Sequence, residues 1–82
     1  MATLKYDLTS NWTVVATSAQ QFIAENLSTK LVHVTFSASA PSAEAPYHTL
    51  NDGEVITRMG VADSVYVRDG GEGGAFITVS VS

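Results

Sequence analysis

Leu31-Val32-His33-Val34-Thr35-Phe36-Ser37 is the stretch whose reading decides the fold. Val32, Val34 and Phe36 alternate with His33, Thr35 and Ser37, the period of a strand with one apolar and one polar face. The same period returns near the C-terminal end, where Ile77, Val79 and Val81 alternate with Thr78, Ser80 and Ser82. Between them, Ser64 to Arg68 puts Val65 and Val67 on one face and Tyr66 on the other. Val and Thr suit a pleated, half-buried surface. Only 15% of the residues are charged, too few for exposed helical faces, which usually carry Glu, Lys and Arg.

Outward from these runs, turn residues recur at intervals of roughly ten, as in a sandwich or barrel. Trp12 to Ala16 is a first apolar run after the polar break Ser10-Asn11, and Glu54 to Met59 is another strand. The small residues Ala38 to Ala45, around Pro41, read as a surface crossover between sheets. Pro46 places the following segment, through Leu50, at an edge. Asn51-Asp52-Gly53 is a turn, because glycine accepts positive φ and Asn and Asp bond local amides. Asp69-Gly70-Gly71-Glu72-Gly73-Gly74 reads as a flexible tip that makes Ser64 to Val81 a closing β-hairpin. Thr17 to Leu27 fits two patterns. Ser18 could cap a short helix with Ala19, Phe22, Ile23 and Leu27 on one face, but the β-rich flanks favour a strand at Gln21 to Asn26. The expectation is an all-β, small antiparallel sandwich or barrel of about seven to eight short strands.

The chain of 82 residues is expected to form one domain over 12–82, preceded by 1–11 as an N-terminal arm or edge strand. Leu4, Tyr6 and Leu8 alternate there, and an arm carrying three bulky apolar groups is a natural contact element. A core this small is often supported by disulfides, metals or self-association. Cysteine is absent, and His33 and His48 lack ligand spacing, so homo-oligomerisation or attachment to a partner is the expected support. The net charge is −4, and Lys5, Lys30, Arg58 and Arg68 are scattered, which argues against nucleic acid and against an anionic membrane surface. No apolar stretch is long enough for a signal peptide or a membrane span, and a cysteine-free chain fits a reducing cytoplasm.

Candidate chemistry is sparse. Around Ser64 the sequence is Ala62-Asp63-Ser64-Val65, with no nucleophile elbow. His33 and His48 read as hydrogen-bonded surface histidines, not general bases. The glycines from Gly70 to Gly74 lead into a β-rich run, not the helix start that a phosphate loop requires. Asp69 and Glu72 supply too few oxygens for calcium. We therefore expect no catalytic residues, no metal and no cofactor. Trp12 would by default pack in the core; exposed, with Tyr47 or Tyr66 beside it, it could present a glycan platform. The residues expected to touch a partner are Leu4, Tyr6, Leu8, Trp12, Tyr47 and Tyr66.

The order of features also carries a resemblance. Trp12-Thr13-Val14-Val15-Ala16 leads to a run ending in Glu25-Asn26, a Val/Phe strand and the loop Ser39-Ala40-Pro41-Ser42-Ala43-Glu44-Ala45-Pro46. Tyr47-His48-Thr49-Leu50, Asp52-Gly53-Glu54, Val65-Tyr66-Val67-Arg68 and a terminal Thr/Val strand follow. From Trp12 onward this layout resembles the small β-sandwich virion proteins of tailed bacteriophages, those of heads, head fibres and tail tips. The resemblance implies a structural, non-enzymatic role in the virion, assembled in the host cytoplasm. It points to a capsid decoration or cement subunit bound to the major shell protein, or alternatively to a tail- or fibre-associated module that binds a host-surface glycan. It carries no residue-level motif.

Overall fold

The alternating runs become eight strands, with no helix, among the described residues 2–17, 21–58 and 63–81 of the computed structural model. They are β1 (Ala2–Asp7), β2 (Thr13–Ala16), β3 (Phe22–Glu25), β4 (Val32–Ser37), β5 (His48–Leu50), β6 (Val55–Arg58), β7 (Ser64–Asp69) and β8 (Phe76–Val81). Two antiparallel sheets of four strands form: sheet A in the order β1-β8-β3-β6, and sheet B in the order β2-β7-β4-β5. The first strand pairs with the last, β2 with β7, β3 with β6, and β4 with β5. The chain is thus one long ribbon doubled back at the β4–β5 loop, with its strand pairs laid alternately in the two sheets. Contacts of β3 with β8 and of β4 with β7 close each sheet. This is the jelly-roll winding of a β-sandwich.

The core follows from period two. Val32, Val34, Val65 and Val67 of sheet B, and Phe22, Ala24, Ile77 and Val79 of sheet A, are buried between the layers. Leu8, Val15, Ala16, Leu50 and Ala75 fill the margins. Asn26 seals one end. Its carboxamide is fully buried and donates to the carbonyls of Lys30 at 2.8 Å and Leu50 at 3.0 Å. Its oxygen accepts from the backbone N–H of Ser28 at 3.1 Å and the Ser28 hydroxyl at 2.7 Å. The Asn26 backbone also bonds Glu54 and Gly53, so one residue ties the β3–β4 connection to the β5–β6 turn. Gly53 sits in that turn at φ 82, as Asn51-Asp52-Gly53 requires.

Several expectations stand and two are corrected. Gln21 to Asn26 contains a strand, β3; Ser18, the helix cap of the alternative reading, lies outside the described residues. Pro46 precedes an edge strand, β5. The Ser64 to Val81 hairpin is overturned, because β7 lies in sheet B and β8 in sheet A. Both strands have one apolar face, and alternation is identical whether two strands lie side by side or face to face. The Ala38 to Ala45 loop is likewise no crossover, since β4 and β5 pair within sheet B. Residues 2–7 pair with β8 along their whole length, so this segment is an edge strand and not a free arm.

Replacing Asn26 by Ala removes both donors and the acceptor, taking the bond from the buried Leu50 carbonyl and leaving the part-buried Lys30 carbonyl only the Ser28 hydroxyl at 3.3 Å. The expected cost is about 3 kcal/mol, read by urea unfolding with an unchanged m-value. A loss within experimental error would show that this seal is dispensable.

Candidate functional site

The outer face of sheet B brings together Trp12, Tyr47, Tyr66, His33 and Arg68. Register sets Arg68 of β7 opposite His33 of β4, and Tyr66 opposite Thr35. Val14 of β2 lies on the other side of Tyr66 and is exposed. Over part of this face runs the long β4–β5 loop, and side chains of β4 and β7, with Trp12, fasten it. The Trp12 indole N–H donates to the Ser42 carbonyl at 2.9 Å, Arg68 Nη1 to the Ala43 carbonyl at 2.9 Å, and the Thr35 hydroxyl to the Pro46 carbonyl at 2.9 Å. The Tyr47 ring stacks on the His33 imidazole with centroids 3.7 Å apart and planes 18° apart.

Arg68 stands at the middle of this arrangement. Its guanidinium carbon lies 4.2 Å from the centroid of the Trp12 ring and 5.4 Å from that of Tyr47. Such cation–π contacts hold a planar cation in a fixed plane. Arg68 Nε donates to His33 Nδ1 at 3.2 Å, so that nitrogen accepts and the imidazole is neutral. The His33 pKa is accordingly lowered, first by burial and then by the Arg68 charge, against an opposing pull from Asp69. Tyr47 remains 46% exposed and borders a shallow cleft shared with Thr35, Phe36, Pro46 and His48.

Five of the six residues expected to touch a partner fall on two separate parts of the fold. Trp12, Tyr47 and Tyr66 share the outer side of sheet B. Leu4 and Tyr6 lie on the core side of the edge strand β1, Leu4 being 52% exposed and Tyr6 packed against the core. Leu8 is buried in the core and cannot meet a partner. Trp12 is half-buried and bonded to a surface loop, not enclosed between the sheets. Sequence reading missed Arg68, counted only as a scattered cation, and the contribution of Ser42 and Ala43. Arg68 sits at a polar position of an alternating strand, but only the cross-strand register shows that it meets His33 and Trp12.

The glycine-rich segment has a different organiser. Asp69 points inward and is buried, and its Oδ1 accepts from the amides of Gly71 at 2.7 Å and Gly73 at 3.0 Å. Oδ2 accepts from Ala75 at 3.0 Å. Both oxygens of Asp69, one of the two acids weighed for calcium, are thus committed to N–H donors. Those bonds, chiefly from Gly73 and Ala75, hold the Asp69 pKa below its ordinary value against the effect of burial. Among the described residues no group of three or more His, Asp or Glu side chains is placed to hold a metal ion. No protein-family model, curated protein or solved structure matches the chain.

A histidine whose native pKa lies below 6.5 gives its full stability above pH 6.5 and loses it as the pH falls below that value. The His33 imidazole should therefore titrate below 6.5 by NMR, and Arg68→Gln should move the midpoint upward. Thermal stability between about pH 7 and pH 5 should fall more in the native protein than in His33→Gln. Equal losses would sever the link between His33 and the fold.

Proposed function

We propose that the protein is a virion structural protein of a tailed bacteriophage, a decoration or cement subunit that seats the outer face of sheet B on the shell protein. One observation carries this reading: Trp12, Arg68 and Tyr47 stand together on one face, each held by a hydrogen bond or a stack. Trp, Tyr and Arg are the residues that dominate binding energy at protein interfaces, and anchors already fixed lose little entropy when bound. The jelly-roll winding agrees, being an architecture of capsid proteins, although it serves lectins too. The virion assignment itself rests on the layout of strands and turns from Trp12 onward.

A second reading assigns the same face to a host-surface glycan, in a tail- or fibre-associated module. The specific support is the exposed Tyr47 ring beside the cleft of Thr35, Pro46 and His48, where an apolar sugar face could lie against the ring with hydroxyl partners adjacent.

Tyr47→Ala and Tyr66→Ala separate the readings. Under the decoration reading, the double variant should co-sediment with shells of the major shell protein at least about thirtyfold more weakly, with its melting temperature little changed. Undiminished shell binding overturns this docking face. Saturable binding to an oligosaccharide panel, lost in Tyr47→Ala alone and without shell binding, favours the glycan.

A further inference from the structure

We propose that a second copy of this chain pairs through β1, antiparallel about a two-fold axis at Leu4, so that two sheets A become one continuous sheet. The inference rests on the sheet edges and stands without the docking face described above.

Four strands form the edges of the two sheets: β1 and β6 in sheet A, β2 and β5 in sheet B. Natural edges are protected from stray pairing by shortness, bulges, proline and charge. β5 has three residues and follows Pro46. β2 has four and is broken by a bulge between Val14 and Ala16, and β6 has four. β1 has six residues, no proline and an unbroken register. It is the longest of the four edges, and the charges it carries, Lys5 and Asp7, are paired with each other.

Its free groups can be assigned. The Leu8 amide donates to the Ala75 carbonyl at 3.0 Å, one step beyond the Asp7–Phe76 pair. Antiparallel alternation then spends the backbone of Ala2, Leu4 and Tyr6 on β8 and turns the N–H and C=O of Thr3, Lys5 and Asp7 outward. The hydroxyl contact of Thr3 with Ser80 at 2.6 Å agrees, because side chains come closest at pairs that exchange no backbone bonds.

A two-fold axis normal to the sheet keeps core-side residues opposite core-side residues, so the axis must pass a residue pair. Centred on Lys5, it sets two ammonium groups directly opposite, which is repulsive. Centred on Tyr6, it overlaps only residues 5–7 of each strand, given that β1 ends at Asp7. Centred on Leu4, it overlaps residues 2–6 and pairs Thr3 with Lys5 of the other copy through outward backbone groups. It also brings the two exposed Leu4 side chains together at a non-hydrogen-bonded pair, where contact is closest. The edge carries Lys5 and Asp7, which form an ion pair at 3.5 Å, so it is locally neutral although each chain carries −4. The occupant this edge fits is therefore its own copy.

The absence of cysteine allows a direct test. Residues opposed at a non-hydrogen-bonded pair stand about 4.5 Å apart between Cα atoms, within disulfide reach. In separate single-cysteine proteins, Leu4→Cys should form a covalent dimer under mild oxidation at least about tenfold faster than Lys5→Cys, Tyr6→Cys or Val55→Cys. Lys5→Pro removes an outward N–H without costing a bond to β8. It should weaken the dimer seen by analytical ultracentrifugation about tenfold or more while leaving the fold intact by circular dichroism. A native protein that stays monomeric to about millimolar concentration overturns the proposal. So does faster cross-linking at Lys5, Tyr6 or Val55, which would place the axis elsewhere.

Discussion

A cysteine-free chain of 82 residues must hold two sheets together over a core one side chain deep on each side. That constraint governs most of what is seen. Valine is well suited to such a layer, because its branched carbon packs on a pleat and has little rotamer freedom to lose. A thin layer cannot close its own ends, however, and polar groups perform that task. Asn26 spends its whole carboxamide on two chain segments, Ser28 to Lys30 and Leu50, at one end, and Asp69 folds the amides of Gly71, Gly73 and Ala75 around its carboxylate at another connection. Gly70 completes this second closure. A Cβ there would stand 2.8 Å from the Leu31 side chain and backbone oxygen, and its N–H donates to the same carbonyl at 2.9 Å.

The two closures explain what could and could not be read from sequence. The alternation at Leu31 to Ser37 and at Ala75 to Val81 names the buried faces, and those faces are the observed ones. Alternation has no term for which sheet a strand joins. Hence β7 and β8, adjacent in sequence and joined by a glycine-rich loop, looked like a hairpin yet lie in opposite sheets. What carries the chain across is Asp69, an acid at the inward position of an apolar face. Such a residue has to be satisfied where it is buried, and a run of glycine amides directly after it can satisfy it. That pairing was legible in principle. The Asn26 seal was less so, because its partner Lys30 follows it closely while Leu50, Gly53 and Glu54 come from a stretch more than twenty residues on.

The candidate face was legible only as a set of residue types. Trp12, Tyr47 and Tyr66 were recognisable as aromatics without a settled place, and Arg68 as an isolated cation. Their meeting depends on β7 lying between β2 and β4, a long-range register that no local pattern records. It also depends on the β4–β5 loop, whose small side chains let its backbone carbonyls come within reach of Trp12, Arg68 and Thr35. A loop fastened in this way presents Tyr47 at a fixed angle, and a fixed ring is worth more to a partner than a mobile one.

The face and the β1 edge are also related by geometry. An axis normal to sheet A leaves sheet B of each copy on the same side, so a pair joined at β1 directs two aromatic faces the same way. A single docking event by a domain of 82 residues buries a limited area. Two faces on a rigid sheet act as one bivalent unit, with the second contact made at high effective concentration. Such a unit discriminates by spacing. It holds firmly to a repeating surface whose period matches the distance between the two faces, and only weakly to the same chemistry displayed once. A symmetric shell is a surface of that kind. A free soluble copy of its protein is not, so under the decoration reading proposed above the pairing at β1 would strengthen attachment to an assembled shell and leave the unassembled partner largely unbound.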